Sequence, residues 1–204
     1  MSIFSNLFTT VSTNAKSAIG LLCALVIFMV GDCTRTNEMA PTLPNGSWTW
    51  SSNRDAYQIG DVVWIRDPID NTTQHPMRIL AIEGDTIQYL NDGFLLNDRR
   101  IAVLDMREWN ADSRIWKETF YPSGDESEAL YWEIIQSNSN SNWKSTKNII
   151  PSGHVYVSCD NRYKCLDSRW WGSLPVSSIE GKIVLGMCPF CKVGLKKSSF
   201  VLYY

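Results

Sequence analysis

Residues 158–175 bring together the side chains best suited to chemistry: Ser158-Cys159-Asp160-Asn161-Arg162, then Cys165-Leu166-Asp167-Ser168-Arg169. Two aspartates and two arginines stand beside the apolar run Val155-Tyr156-Val157, where charges are costly unless they pair. Asp160, Arg162, Asp167 and Arg169 therefore read as an ion-paired knot under or beside a site. The cysteines open other chemistries. Cys159 and Cys165, with the Cys-x-x-Cys of Cys188 and Cys191, number enough for a zinc site or a redox couple. Their spacing is not that of paired zinc knuckles, and no βαβ context supports a thioredoxin-like motif. Structural disulfides of open pairing are the plainer reading, with no metal and no cofactor expected.

The elements that must position these residues follow from pattern. From residue 18 to 30 every residue is apolar or glycine, and Lys16 is the one charge between Ile3 and Val30. Thirteen residues fall short of the roughly 20 that a span needs, but a tilted helix over about 12–31 suffices if Lys16 snorkels. Residues 1–32 are thus expected to be an uncleaved membrane anchor, single-pass. Lys16 on its N-terminal side places the rest outside the cytoplasm by the positive-inside rule.

Beyond residue 32, short runs such as Asp61-Val62-Val63-Trp64-Ile65 and Met77-Arg78-Ile79-Leu80-Ala81-Ile82 alternate with Gly/Asp/Asn turns. That pattern predicts a mainly β, antiparallel domain. Residues 33–101 and 148–187 are expected to form its core. Residues 102–147, richer in charge and polarity, read as an inserted second lobe, and 188–204 as a C-terminal tail. The run 136–142 reads as a solvated loop, and Lys192, Lys196 and Lys197 as tail charges. The net charge of −2 gives no electrostatic case for nucleic acid. Nine tryptophans and eight tyrosines suit a protein that meets a membrane interface, Trp48 and Trp50 being the anchors of choice.

Four motifs in order carry a resemblance: Glu38-Met39-Ala40-Pro41-Thr42, Gly60-Asp61-Val62-Val63, Met77 through Asp85, and Cys159 through Gly172. They resemble the boxes of bacterial signal peptidase I, the membrane-anchored serine protease that removes signal peptides. In that family the first box reads Ser-Met-x-Pro-Thr and the third opens on Lys-Arg. The resemblance implies the family's antiparallel β fold with one N-terminal transmembrane helix, an inner (plasma) membrane location, and a main domain on the periplasmic or extracellular side. It also implies a groove for an extended peptide along Thr36, Asn37, Met39, Pro41 and Thr42.

The departures fall where the resemblance puts the chemistry. Glu38 occupies the nucleophile position and Met77 that of the general base. A Ser/Lys dyad works because a desolvated lysine takes the serine proton. Methionine has no titratable proton, and glutamate has no hydroxyl to acylate. No catalytic residue is expected. Thr36 could act as a displaced nucleophile and His75 as a base, since family members outside bacteria use histidine there. His75 shares a face with Met77 only if a strand runs through Pro76. The expectation is an inactive homologue that binds a protein partner, or an extended segment of an exported or membrane protein by strand addition. An active peptidase with non-standard residues is the alternative.

Overall fold

The computed structural model describes residues 32–53, 56–90, 93–122, 126–138, 145–163, 165–188 and 200–202. It divides into Met1–Asp32 and Cys33–Tyr204, and the second unit concerns us here. Of the membrane anchor expected over 1–32, residues 1–31 lie outside the described residues, as do Lys192, Lys196 and Lys197. No helix among the described residues is long and apolar enough to cross a membrane.

Strands follow one another closely: β1 (Asp32–Cys33), β2 (Trp48–Ser52), β3 (Val62–Arg66), β4 (Gln74–Ile82), β5 (Thr86–Leu90), β6 (Gly93–Leu96) and β7 (Arg99–Arg100). Then come β8 (Ala102–Asn110), β9 (Ser113–Phe120), β10 (Leu130–Ser137), β11 (Asn148–Ile149), β12 (His154–Ser158), β13 (Leu174–Pro175), β14 (Ile179–Met187) and β15 (Phe200–Leu202). Every strand pair with a stated register is antiparallel. The fold is mainly β, as the run-and-turn pattern predicts.

The principal sheet runs β2-β14-β3-β4-β12-β13, with β15 also on β14. Three residues of the expected tail, Phe200–Leu202, are therefore in a strand. β5, β6, β7 and β11 make a second sheet, and β8, β9 and β10 a third. The third sheet lies within residues 102–147, and β10 takes in the first two residues of the polar run 136–142.

β3 and β4 form the centre because they can be buried on both faces, which near-continuous apolar runs permit. Val62 through Ile65 and Pro76 through Ala81 are all buried. One face packs Val63, Ile65, Met77 and Ile79 against Val155, Val157 and Leu174. The other packs Leu80 and Ala81 against Ile87, Phe94, Phe120 and Trp132 of the smaller sheets. Trp48 and Trp50, the expected interfacial rings, are half-buried in β2.

Pro76 sits inside β4, opposite Trp64. Strand geometry explains how. Ile79 donates to Asp61 O, and Thr73 O accepts from Asp67 N–H, both toward β3. Main-chain groups alternate sides along a strand, so Gln74, Pro76 and Arg78 turn theirs away from β3. Pro76 costs the β3–β4 ladder nothing, and β12 pairs β4 only from Arg78 to Ile82. A proline is tolerated where no ladder bond is required.

Candidate functional site

Two turns set the site. The residues between β3 and β4 are fixed by aspartates acting as local acceptors: Asp67 Oδ1 accepts from the Ile69 and Asp70 amides at 2.6 and 3.1 Å. Asp70 does the same for Thr72 and Thr73, each at 2.8 Å. These bonds hold the Asp70 carboxyl well below the usual carboxylate range, the Thr73 hydroxyl being the largest cause. Asp67 Oδ2 is left facing β4. The second turn, 36–46, is closed by Ala40 N–H to Asn37 O and Leu43 N–H to Met39 O, and anchored by Met39 and Leu43 in the core.

His75 joins the two. Its Nδ1 lies 3.0 and 3.1 Å from the Glu38 carboxylate oxygens, and its Nε2 lies 3.1 Å from Asp67 Oδ2. A neutral imidazole would aim a lone pair at one carboxylate, so only the doubly protonated ring satisfies both contacts. The hydrogen bond to Glu38 raises the His75 pKa above its ordinary value. Burial opposes this, and Glu38's charge and Asp67 add to it. In that doubly protonated state the ring carries no lone pair with which to take a proton. His75 is no loop residue: β4 continues through Pro76, and its side chain is 16 % exposed.

Around this pair the remaining expected site residues sort themselves. Thr36 Oγ1 donates to Glu38 Oε2 at 2.9 Å. Met77 is fully buried between Val63, Ile79 and their neighbours. Of the expected groove, Thr36 and Asn37 are exposed and line a cavity. Met39 and Pro41 are buried, and Met39 receives the Asp160 amide on its Sδ at 3.4 Å. Thr42 turns its hydroxyl to the Asp160 carboxylate.

The knot is fully paired, but not as its sequence suggests. Only Asp167 and Arg169 pair within it, at 2.8 Å. Asp167 also caps the one-turn helix Ser168–Trp171 and accepts from Ser158 Oγ at 2.6 Å. Asp160 takes a two-pronged bond from Arg78 of β4, at 2.8 and 2.7 Å. Arg162 reaches Glu118 of β9 at 2.7 Å, and that carboxylate also accepts from Trp132 Nε1 at 2.6 Å. Asp167's charge and hydrogen bond raise the Arg169 pKa against the opposing effect of burial.

Cys159 and Cys165 are disulfide-bonded to each other. That resolves one pairing left open by spacing, and it removes both sulfurs from the candidate metal cluster they form with Asp167. Cys188 is disulfide-bonded as well, and Cys33 is an exposed free thiol.

Asp67, Arg78 and Glu118 are the residues whose roles the sequence hides. Asp67 looks like one more turn aspartate in Asp67-Pro68-Ile69-Asp70-Asn71. Glu118 carries a weak signal: a charge in phase with Phe120 on one buried face of β9, while Ser113 and Ile115 are buried on the other.

The Glu38 turn, the edge of β4 and the ion-paired floor form a cleft with a carboxylate at its mouth and the Met77 thioether buried in the strand beside it. Comparison with known proteins gives its class. The family model described as "Signal peptidase, peptidase S26" matches residues 9–188. The chain belongs to that family. Among curated proteins it is similar to the mitochondrial ATP-independent inner membrane protease subunit 1a of Arabidopsis thaliana, 28% identical over 64% of this chain and 51% of the relative. Signal peptidase I of Buchnera aphidicola is 25% identical over 61% of this chain and 52% of its own. The chain spans about half the length of these two relatives. A signal peptidase I structure from Enterococcus faecalis aligns over 64% of this chain and 98% of its own, with 19% identity and a TM-score of 0.38.

Proposed function

We propose that this chain is a catalytically inactive signal peptidase relative that works by binding. The observation that carries this reading is the Glu38–His75 ion pair at the family's nucleophile position, beside a fully buried Met77 at the base position. Nucleophilic catalysis requires a group that can attack and a base that can take its proton. Glu38 is engaged as an acceptor by both Thr36 and His75, and Met77 has no proton to exchange. The partner is a protein, or an extended segment of an exported or membrane protein. The chain is held in the inner (plasma) membrane by one helix within 1–32, with the β domain on the periplasmic or extracellular side.

Strand addition onto β4 is limited in this reading. The edge beyond Ser158, at Gln74 and Pro76, lacks the Pro76 N–H, so a docked segment finds one main-chain donor fewer. One hydrogen bond of that kind contributes about 1 kcal/mol. Side-chain contacts therefore carry more of the recognition.

Incubating the purified full chain with a preprotein and following its cleavage tests the proposal; no product is expected. One observation favours the alternative, an active peptidase: the Thr36 hydroxyl already donates to a carboxylate at 2.9 Å. If cleavage occurs and Thr36→Val abolishes it, that alternative holds and the binding reading fails. The converse variant, Glu38→Ser with Met77→Lys, rebuilds a dyad among apolar neighbours that depress a lysine pKa. It is expected to gain cleavage.

A further inference from the structure

Glu38 and Tyr163 line two cavities. One holds His75 and Asp67. The other, about 380 Å³, opens between the Glu38 turn, the end of the β8–β9 hairpin and the disulfide loop, and its size is that of a ligand site. Its polar lining offers acceptors beside the side-chain amides of Asn37 and Asn110. Thr36 Oγ1 spends its proton on Glu38, and Ser113 Oγ spends its own on Asn110 Oδ1 at 2.9 Å, which leaves both oxygens with free lone pairs. Asn161 is 8% exposed. Its Nδ2 donates to Asn37 O at 3.1 Å and its amide to Glu38 O at 2.8 Å. Those bonds fix the side-chain amide so that Oδ1 is the free end, buried with no hydrogen-bond partner. An unpaired buried acceptor costs about 1–3 kcal/mol until a donor meets it.

Charge and rings narrow the ligand. Among the described residues, Glu38 is the one charged side chain lining this crevice. With His75 protonated, the Glu38–His75–Asp67 group retains one negative charge in excess. Trp109 and Tyr163 supply aromatic walls. A divalent cation prefers several carboxylate oxygens from different residues, and this lining has a single carboxylate. A guanidinium fits better: five donors in a planar fork, a positive charge, and a face that stacks on aromatic rings. Main-chain recognition is closed off here, because the Ile135 amide and carbonyl are already bonded to Asp160 O and Arg162 N.

We propose that this crevice, between Glu38, Ser113, Asn161 and the rings of Trp109 and Tyr163, receives an arginine side chain of the partner polypeptide. The proposal rests on the binding reading above and adds a specificity to it.

The test uses the full-length protein and two small probes, N-acetyl-arginine amide and its uncharged isostere N-acetyl-citrulline amide, titrated by calorimetry. Saturable binding of the arginine probe is expected, with the citrulline probe at least about tenfold weaker, the loss of one charge-assisted contact. Glu38→Gln and Thr36→Val should each weaken the arginine probe by several-fold, with the thermal transition of each variant serving as the folding control. Equal binding of both probes, absence of saturable binding, or indifference to both substitutions overturns the proposal. Cleavage of a preprotein by a protein that still prefers the arginine probe overturns the non-catalytic reading and leaves the arginine site standing.

Discussion

The floor of the cleft and its mouth use the same residue types under different conditions. In the floor, Arg78–Asp160 and Arg162–Glu118 have side-chain exposures of 5 and 0%, and 3 and 1%. At the mouth, Glu38, His75 and Asp67 are each 16–17% exposed. The floor uses arginine, whose guanidinium stays charged across the range in which a histidine titrates. The mouth uses histidine, whose charge can be removed. The cleft therefore combines a frame of permanently charged arginine pairs with a titratable contact at its mouth. The frame is held by pairs in which neither partner can be lost cheaply; the mouth is held by one ring.

The largest test of that contrast is Arg162→Met, which strands the Glu118 carboxylate at 0% exposure. Breaking a buried pair from one side typically costs about 3–5 kcal/mol. Chemical denaturation should show such a loss, and a change below 1 kcal/mol would mean that the floor is not what holds the frame. Next comes the disulfide that frames Asn161 and Arg162. Cys159→Ser with Cys165→Ser opens a loop with sequence separation 6, and a loop that short is worth about 2 kcal/mol. Arginine-probe binding should weaken alongside stability, because Asn161 sits in that loop.

The smallest effect separates mouth from floor most sharply. Because the His75 pKa is raised on folding, its contribution to stability is complete below the ordinary histidine value and is lost as pH rises through the raised one. Stability of the wild type should therefore fall across that window. His75→Gln should flatten the profile there while Arg162→Met leaves the slope intact. Identical slopes in wild type and His75→Gln would remove His75 from the clamp.

Much of this was legible in the residues. The alternation of apolar runs with Gly/Asp/Asn turns predicts antiparallel strands, because strand period and turn chemistry are local. The charge-dense stretch from Asp160 to Arg169 announces pairing, because isolated buried charges are too costly to keep. The partners were not legible. Arg78 and Glu118 lie 82 and 44 positions from Asp160 and Arg162, and nothing in local spacing links them. Pro76 reads as a strand breaker; only the alternation of main-chain groups in β4 shows that its missing N–H faces away from β3. Met39 stands in the motif that names the groove, and only the fold shows it packed with Leu43, Val62 and Ile183.

The presence of Glu38 and Met77 in motifs that resemble the family's serine and lysine boxes is read from the sequence alone, and neither side chain has the chemistry of a Ser/Lys dyad member. The occupant of Glu38 is a fact of tertiary structure. A turn after residue 36, a hairpin aspartate at 67 and a histidine in the strand between them converge on a few ångströms that no one-dimensional pattern encodes. Hydrogen bonding of a ring with two nitrogens is settled by what stands at each of its ends, and folding alone puts a carboxylate at both.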